Sequence, residues 1–145
     1  MSAEIRIVEI RDRAQMERAH AIRRRVFIEE QHVPEDIELD EDDAHALHVL
    51  AIDLAGIAVG CGRMVAHDEE VKIGRMAVLR DRRGEGIGRR ILEFLMEAAR
   101  ARGYRQAVLH AQIAVEGFYS KSGYRPVGDA FEEAGIMHRL MRHDL

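Results

Sequence analysis

Three glycines at alternate positions, within RRGEGIGRR, form the pattern in this sequence that points most directly to chemistry. Gly84, Gly86 and Gly88 lie directly before a segment with helical spacing. Alternating glycines expose consecutive backbone N–H groups and remove the Cβ atoms that would keep a ligand at a distance. The start of a helix adds partial positive charge at the same point. The segment therefore predicts a binding site for an anion such as a pyrophosphate.

Two common nucleotide-binding loops do not match this segment. A dinucleotide-binding fold places GxGxxG directly after its first strand, with an acidic residue about 20 residues further on. Here the spacing is GxGxG, and the loop follows the fourth predicted strand. A P-loop would also need a lysine after its last glycine. Arginines around exposed amides instead suit a ligand with several phosphates. The flanking arginines are Arg80, Arg82, Arg83, Arg89 and Arg90.

Other residues of reactive type favour structural roles. Cys61 lies between two glycines in an apolar strand, where a lone cysteine usually packs rather than acting as a nucleophile. His45 and His48 follow an acidic stretch, but HxxH alone is not a zinc-binding spacing, so we expect no metal. Seven acidic residues crowd positions 35–43, and like charges at this density predict an exposed, solvated loop or turn.

The elements that must position these residues alternate between strand and helix patterns. Apolar alternation predicts a first strand in IRIVEI, and a period near 3.6 then predicts a helix with Asp12 at its N-cap. Three strands in an antiparallel meander lead to the glycine loop and to a helix that Gly103 ends. The strand AVLHAQ, a short helix ended by Gly123 and two further strands follow. This order predicts one α/β (α+β) domain over residues 1–145, with helices on both faces of a mixed sheet.

Length and composition exclude several classes of protein. A chain of 145 residues can bury a core without disulfides or metals. Its net charge of −4 argues against binding nucleic acid through net charge alone, and no apolar stretch reaches the roughly 20 residues of a membrane span. One cysteine excludes an internal disulfide framework and favours a reducing compartment. We therefore expect a cytoplasmic protein with neither nucleic acid nor membrane as a partner.

Two motifs together resemble the core of the GNAT acyltransferases, the Gcn5-related N-acetyltransferase superfamily. The family's loop signature, Q/R-x-x-G-x-G/A, corresponds to Arg83 through Gly88, and its FY-x-x-x-G-[FY] element to Phe118 through Tyr124. The family's order of elements matches almost the whole chain, and RRRVFIEEQHVPEDIELDEDDAHALH resembles the N-terminal part of a bacterial subgroup of small GNAT proteins. The resemblance implies the GNAT fold, in which acyl-CoA lies between two splayed strands of a largely antiparallel sheet.

For the cosubstrate acetyl-CoA, the resemblance implies contacts along one strand and along the loop that follows it. Met76, Ala77 and Val78 would offer backbone groups to the pantetheine arm and the acetyl carbonyl. Gln112 stands where many relatives have an asparagine that contacts the CoA arm. The loop residues whose amides would hold the pyrophosphate are Arg83, Gly84, Glu85, Gly86, Ile87, Gly88 and Arg89.

The resemblance also implies how the reaction proceeds. An amine attacks the thioester directly in a ternary complex, and Tyr119 acts as the general acid that protonates the departing thiolate. A general base must first take a proton from the acceptor amine. The candidates for that base are His48, His110, Glu30 and Glu69, of which His110 lies on the strand beside the expected cleft.

The predicted function is an acetyl-CoA-dependent N-acetyltransferase that acts on a small-molecule or peptide amine. The first helices of GNAT proteins commonly line the acceptor site, which implies substrate contacts for Arg25, Phe27 and Glu30. The C-terminal region where acceptor specificity varies holds Glu132, Glu133 and His138. The acidic stretch favours a cationic acceptor such as a polyamine, an amino sugar or a lysine side chain.

Two alternatives stay open. One is an acyltransferase like the acyl-homoserine-lactone synthases, for which 145 residues is short. The other is a non-catalytic, regulatory module that binds acyl-CoA; the presence of Tyr119 argues against it. Superfamily members are often dimers, so a homodimer is compatible with the sequence.

Overall fold

The computed structural model describes residues 4–145. Its α-helices are α1 (Arg13–Arg23), α2 (Glu35–Glu38), α3 (Ile87–Ala101) and α4 (Glu116–Ser120). Its strands are β1 (Arg6–Glu9), β2 (Leu47–Ile52), β3 (Ala58–His67), β4 (Glu70–Val78), β5 (Gln106–Gln112), β6 (Arg125–Glu133) and β7 (Ile136–Asp144). A π-helix covers Arg24–Glu30, and short 3-10 turns cover Glu41–Ala44, Arg80–Arg82 and Ile113–Val115.

All seven of these strands belong to one sheet, in the order β1-β2-β3-β4-β5-β7-β6. The pair β4–β5 is parallel, whereas the other neighbouring pairs are antiparallel. The predicted meander is β2–β3–β4, and the turn between its first two strands contains Gly56 at φ +82°. The prediction of a mixed, largely antiparallel sheet is confirmed.

A helix covers each face of the sheet because side chains alternate along its strands. Val49 and Ala51 of β2 pack in the core under α3, whereas Leu50 and Ile52 pack in the core under α1. The apolar stripe predicted for α3 is buried in full: Ile91, Leu92, Leu95, Met96 and Ala99. The prediction of helices on both faces is confirmed. Within residues 4–145, no helix is both long and apolar enough to span a bilayer.

The first helix begins where the sequence predicts and then changes geometry. The Asp12 carboxylate accepts a hydrogen bond from the backbone N–H of Gln15 at 2.8 Å, which makes Asp12 the N-cap. From Arg24 the helix continues as a π-helix, whose wider hydrogen-bond ring joins the N–H of Gln31 to the carbonyl of Val26 at 3.1 Å. The π-helix carries all three residues implied as acceptor contacts.

The parallel strands β4 and β5 pair over only half of their length. Pairing runs from Glu70 opposite Gln106 to Ile73 opposite Leu109. Beyond that point β4 continues to Val78 and β5 to Gln112 without pairing to each other. β4 is bulged just after the separation: Arg75 has φ +50°, and the register with β3 shifts there. The splayed pair implied by the sequence is therefore present.

The acidic segment is the exposed loop that its charge density predicts at Glu35, Asp36 and Glu41, but not at every acid. Glu38 on α2 is 2% exposed, and Asp43 is mostly buried. Arg23 of α1, which is 1% exposed, donates to Glu38 Oε1 at 2.5 Å and to both oxygens of Asp43 at 2.8 and 3.0 Å. Two cation–carboxylate pairs therefore hold this segment against α1.

Arginines from the sheet complete this arrangement. Arg63 of β3 donates to both oxygens of Asp40 at 2.7 and 2.9 Å, and Arg75 of β4 donates to Asp40 at 3.1 Å. The prediction of a solvated segment is wrong for Glu38, Asp40 and Asp43, because arginines far away in the sequence neutralise these acids. Three arginines and three carboxylates form this charged network: Arg23, Glu38, Asp40, Asp43, Arg63 and Arg75.

Candidate active site

The glycine loop connects the end of β4 to the first turn of α3. Gly84 and Gly86 have φ of +85° and +82°, a left-handed conformation that favours glycine strongly over other residues. A Cβ atom added at either position would meet no other atom within 4 Å. Gly86 is the N-cap of α3, so the loop presents its backbone N–H groups at the positive end of a 15-residue helix. This geometry suits a bound anion.

The arginine side chains around the loop are mostly engaged with carboxylates. Arg82 pairs with Glu85 and with Asp53, and its pKa is raised chiefly by the hydrogen bond to Glu85. Arg83 forms a bidentate pair with Glu30 at 2.7 and 2.9 Å. The local cationic excess is therefore smaller than the arginine count suggests, and the backbone amides provide the main attraction for an anion.

The contact between Arg83 and Glu30 joins the glycine loop to the π-helix. Hydrogen bonding from Arg83 lowers the pKa of the Glu30 carboxyl, so Glu30 is an anion at neutral pH. Arg83 also donates from Nε to the backbone oxygen of Val78 at 2.9 Å. Glu30 therefore lies beside the end of β4, but its carboxylate is occupied by a cation.

The groove between β4 and β5 ends beside the loop and α4. A Cβ atom added to Gly88 would lie 3.4 Å from Phe118 Cζ and 3.8 Å from Val78 Cγ2, so these three residues meet at the start of α3. Met76, Ala77 and Val78 belong to the part of β4 that has left β5. On β5, Gln112 donates from Nε2 to Gln31 Oε1 at 2.9 Å.

Tyr119 lies on α4 next to this junction. Its ring contacts Phe118 edge-on at a centroid distance of 5.0 Å and Tyr124 at 6.1 Å. Burial raises the pKa of the Tyr119 phenol to about 12. The phenol is therefore protonated at neutral pH, which is the state that a general acid requires.

The candidate bases lie in different surroundings. Burial lowers the pKa of His48, whose Nε2 donates to the backbone oxygen of Asp43 at 2.9 Å, beside the charged network. Glu69 lines a surface cavity of about 550 Å³ at the other end of β4, nine residues before Val78. His110 lies on the separated part of β5, and its Nδ1 is 2.9 Å from Glu133 Oε2.

The residues implied as acceptor contacts are only partly brought together. Arg25 is exposed on the π-helix, and Phe27 packs at the edge of the core under α1. Glu30 alone of the three reaches the glycine loop. Gln31 was not predicted from the sequence, and no motif marks it. The burial of Arg23, by contrast, could have been inferred from the sequence, because Arg23 lies at helical spacing between Ala19 and Val26 in the apolar stripe of the first helix.

Cys61 has the environment of a packing residue. It is 2% exposed, and burial raises the pKa of its thiol to about 12, so the thiolate that a nucleophile needs is strongly disfavoured. The structural interpretation of Cys61 is confirmed. Among residues 4–145, no group of three or more His, Cys, Asp or Glu side chains is arranged to hold a metal ion.

Comparison with known proteins identifies the family. A family model described as an acetyltransferase (GNAT) domain matches residues 10–145. YyaT of Bacillus subtilis, an uncharacterized protein, is 36% identical over 143 residues, which cover 96% of this chain and 95% of YyaT. YjcF of the same organism, described as an uncharacterized N-acetyltransferase, is 34% identical over 141 residues, covering 97% and 100%.

Solved structures share the fold over nearly the whole chain. The crystal structure of Escherichia coli ElaA superposes with a TM-score of 0.85 at 26% identity, covering 96% of this chain and 99% of ElaA. An aminoglycoside 6′-N-acetyltransferase complexed with coenzyme A superposes with a TM-score of 0.77 at 18% identity, covering 96% of both chains, and shows the likeness of the fold. Because the family model spans the splayed strands, the glycine loop and the tyrosine helix together, the chain belongs to the GNAT acetyltransferase family and is an acyltransferase.

Proposed function

We propose that this enzyme transfers an acetyl group from acetyl-CoA to a primary amine, by direct attack in a ternary complex. The observation that carries the proposal is the groove between the separated strands β4 and β5, which ends at the left-handed glycine loop. A long thioester with a pyrophosphate at one end fits such a groove, since strand edges bind its amides and helix-start amides bind its phosphates. We also propose that residues 1–145 act as one domain.

Each part of acetyl-CoA has proposed partners. The backbone of Met76, Ala77 and Val78 would bind the pantetheine arm and the acetyl carbonyl, because this edge of β4 has no strand beside it. Gln112 would contact the arm from the side of β5. The loop amides from Arg83 to Arg89 would bind the pyrophosphate. The coenzyme A complex of the structurally similar 6′-N-acetyltransferase supports an acyl-CoA cosubstrate.

Tyr119 is the proposed general acid. Collapse of the tetrahedral intermediate breaks the C–S bond, and the sulfur leaves as a thiolate unless it is protonated. A phenol with a pKa of about 12 is a weak donor to a hydrated thiolate, whose pKa is near 8.5. A thiolate expelled into the same apolar surroundings is a stronger base, because desolvation disfavours both anions. Burial therefore raises the pKa of the phenol and that of the leaving thiol in the same direction.

The proposed acceptor is a small-molecule or peptide amine that enters beside the π-helix. Arg25, Phe27 and Glu30 remain its proposed contacts. Three acids of the acidic segment give no support for a cationic acceptor, because Glu38, Asp40 and Asp43 are already paired with arginines.

Release of free thiol from acetyl-CoA tests the proposal, with spermidine, glucosamine and Nα-acetyl-lysine as acceptor amines. We expect turnover with at least one of them, and we expect Tyr119→Phe to lower kcat about 100-fold while the Kd for acetyl-CoA changes less than twofold. Tyr104→Phe is the matched control, since Tyr104 follows the opposite end of α3. Binding of acetyl-CoA without turnover on any amine would favour the regulatory module, and an unchanged kcat in Tyr119→Phe would remove the general-acid role.

A further inference from the structure

His110 and Glu133 form a hydrogen-bonded pair across the sheet. His110 Nδ1 lies 2.9 Å from Glu133 Oε2, which comes from β6. A carboxylate can only accept a hydrogen bond, so Nδ1 is the donor, and in the neutral imidazole the lone pair lies on Nε2. Phe131, also on β6, packs edge-on against the imidazole at a centroid distance of 5.0 Å. Together these contacts fix both the tautomer and the orientation of the ring.

The register places this pair at the mouth of the groove. Leu109 is the last residue of β5 that pairs with β4, so His110 is the first residue after the separation. Ala107, Leu109 and Ala111 pack in the core under α3, and alternation turns His110 and Gln112 to the opposite face. Gln112 bonds Gln31 at the end of the π-helix, which confirms this direction. His110 therefore faces the side on which an amine would approach.

A glycine leaves space beside the histidine. Gly74 follows Ile73, the last paired residue of β4, so it is the counterpart of His110 across the separation. A Cβ atom added at Gly74 would meet no other atom within 4 Å. A residue within a central strand normally has close neighbours on the face to which its Cβ points, so that face of the sheet is uncovered at Gly74, and we call this open space the recess.

The charged groups near His110 come from three strands. Glu133 on β6 bonds it directly, and His138 on β7 stacks on Phe131 while its own Nδ1 is held by the backbone oxygen of Ile136 at 2.7 Å. Val108 lies two residues before His110 on the same face of β5. Its neighbours across the sheet are Lys72 on β4 and Arg142 on β7. Glu133 is thus the charge in direct contact with the imidazole.

We propose that the acceptor amine lies in the recess at Gly74, that His110 Nε2 removes its proton, and that Glu133 is the residue that positions His110. This inference rests on the proposed function and deepens it.

Two side chains, His110 and Tyr119, account for every proton transfer in this reaction. The ammonium group gives one proton to His110 Nε2, and the free amine then forms the C–N bond with the thioester carbonyl. The C–S bond breaks and its electron pair leaves with sulfur, which takes the proton of Tyr119. The nitrogen of the new amide then gives its surplus proton to the Tyr119 phenolate, which restores the phenol. His110 releases its proton to water. The products are the amide, CoA thiol and one proton.

Kinetics of three variants test the inference, with thiol release measured on the amine that the wild type uses. We expect His110→Ala to lower kcat/KM for the amine about 100-fold or more, with the Kd for acetyl-CoA unchanged. The deficit should shrink as pH rises, because more amine is already deprotonated, and added imidazole should restore part of the rate. Glu133→Gln should lose about tenfold, whereas Asp129→Asn, which changes an exposed carboxylate at the irregular part of the same strand, should lose less than twofold.

Gly74→Val tests the recess separately. The added side chain should fill the space and raise KM for the amine at least tenfold, while the Kd for acetyl-CoA and the thermal midpoint stay close to those of the wild type. A His110→Ala enzyme with wild-type kcat/KM, or a deficit that neither pH nor imidazole changes, would overturn the role of His110. Unchanged amine KM in Gly74→Val would overturn the recess. Failure of the wild type itself on every amine would instead overturn the proposed function.

Discussion

The glycine loop and the acidic segment are both rich in charge and turn residues, but the sequence predicts their exposure with different success. The loop from Arg83 to Gly88 is largely open, with its left-handed glycines facing free space. In the acidic segment Glu35, Asp36 and Glu41 are exposed, whereas three other acids pair with arginines: Glu38, Asp40 and Asp43. The difference shows that a backbone requirement can be inferred locally, whereas the exposure of a charge depends on partners that are remote in the sequence.

Breaking the charged network should give the largest effect. Arg23→Ala leaves Glu38 and Asp43 without their buried cation, so we expect the free energy of unfolding to fall by about 3–5 kcal/mol. Urea unfolding measures this loss. Arg24→Ala is the matched control, because its pair with Glu35 is half-exposed and screened by solvent, so its loss should change the free energy of unfolding far less. Equal losses in the two variants would mean that the acidic segment is solvated after all.

A substitution in the loop should affect binding rather than folding. Gly86→Asp adds a negative charge and a strained left-handed aspartate at the start of α3, so we expect the Kd for CoA to rise at least tenfold. Isothermal titration with CoA measures the change. Gly103→Asp is the matched control, since Gly103 has a similar φ of +85° and no atom within 4 Å of an added Cβ. It lies beyond the opposite end of α3. If both variants bind CoA like the wild type, the loop is not the pyrophosphate site.

The pH dependence of stability should show a smaller contribution from Asp40. Hydrogen bonds from Arg63 lower the pKa of the Asp40 carboxyl to about 2, so the unfolded chain binds more protons than the native state between about pH 4 and pH 2. Stability from this pair is therefore complete above pH 4 and is lost as the pH falls through 2. We expect this pair to contribute about 1 kcal/mol to the free energy of unfolding. This is less than the full pKa shift implies, because Asp40 is about a third exposed.

Urea midpoints between pH 2 and pH 6 measure this contribution. The deficit of Asp40→Asn relative to the wild type should be largest above pH 4 and should shrink toward pH 2. Asp42→Asn is the control, since Asp42 forms no ion pair within residues 4–145. A deficit in Asp40→Asn that does not change with pH would contradict the proposed ionic origin.

Periodicity and turn chemistry accounted for most of the fold. The Asp12 cap, the apolar stripe of α3 and the glycine that ends it follow from spacing alone, because they depend on neighbours within a few residues. The change from α- to π-helix at Arg24 carries no comparable local signal. The bulge at Arg75 also escaped prediction, since it depends on the register between two strands.

For the candidate site, the sequence by itself predicted an anion-binding loop, because alternating glycines before a helix expose backbone N–H groups, and the motif around Tyr119 indicated the family. Only the tertiary structure decided which charges are exposed and which histidine faces the groove. Arg23 and Glu38 meet because α2 folds back against the end of α1, and His110 meets Glu133 because β6 and β7 fold back beside β5. Contacts of this kind join residues far apart in the chain, and composition and periodicity carry no information about such distances.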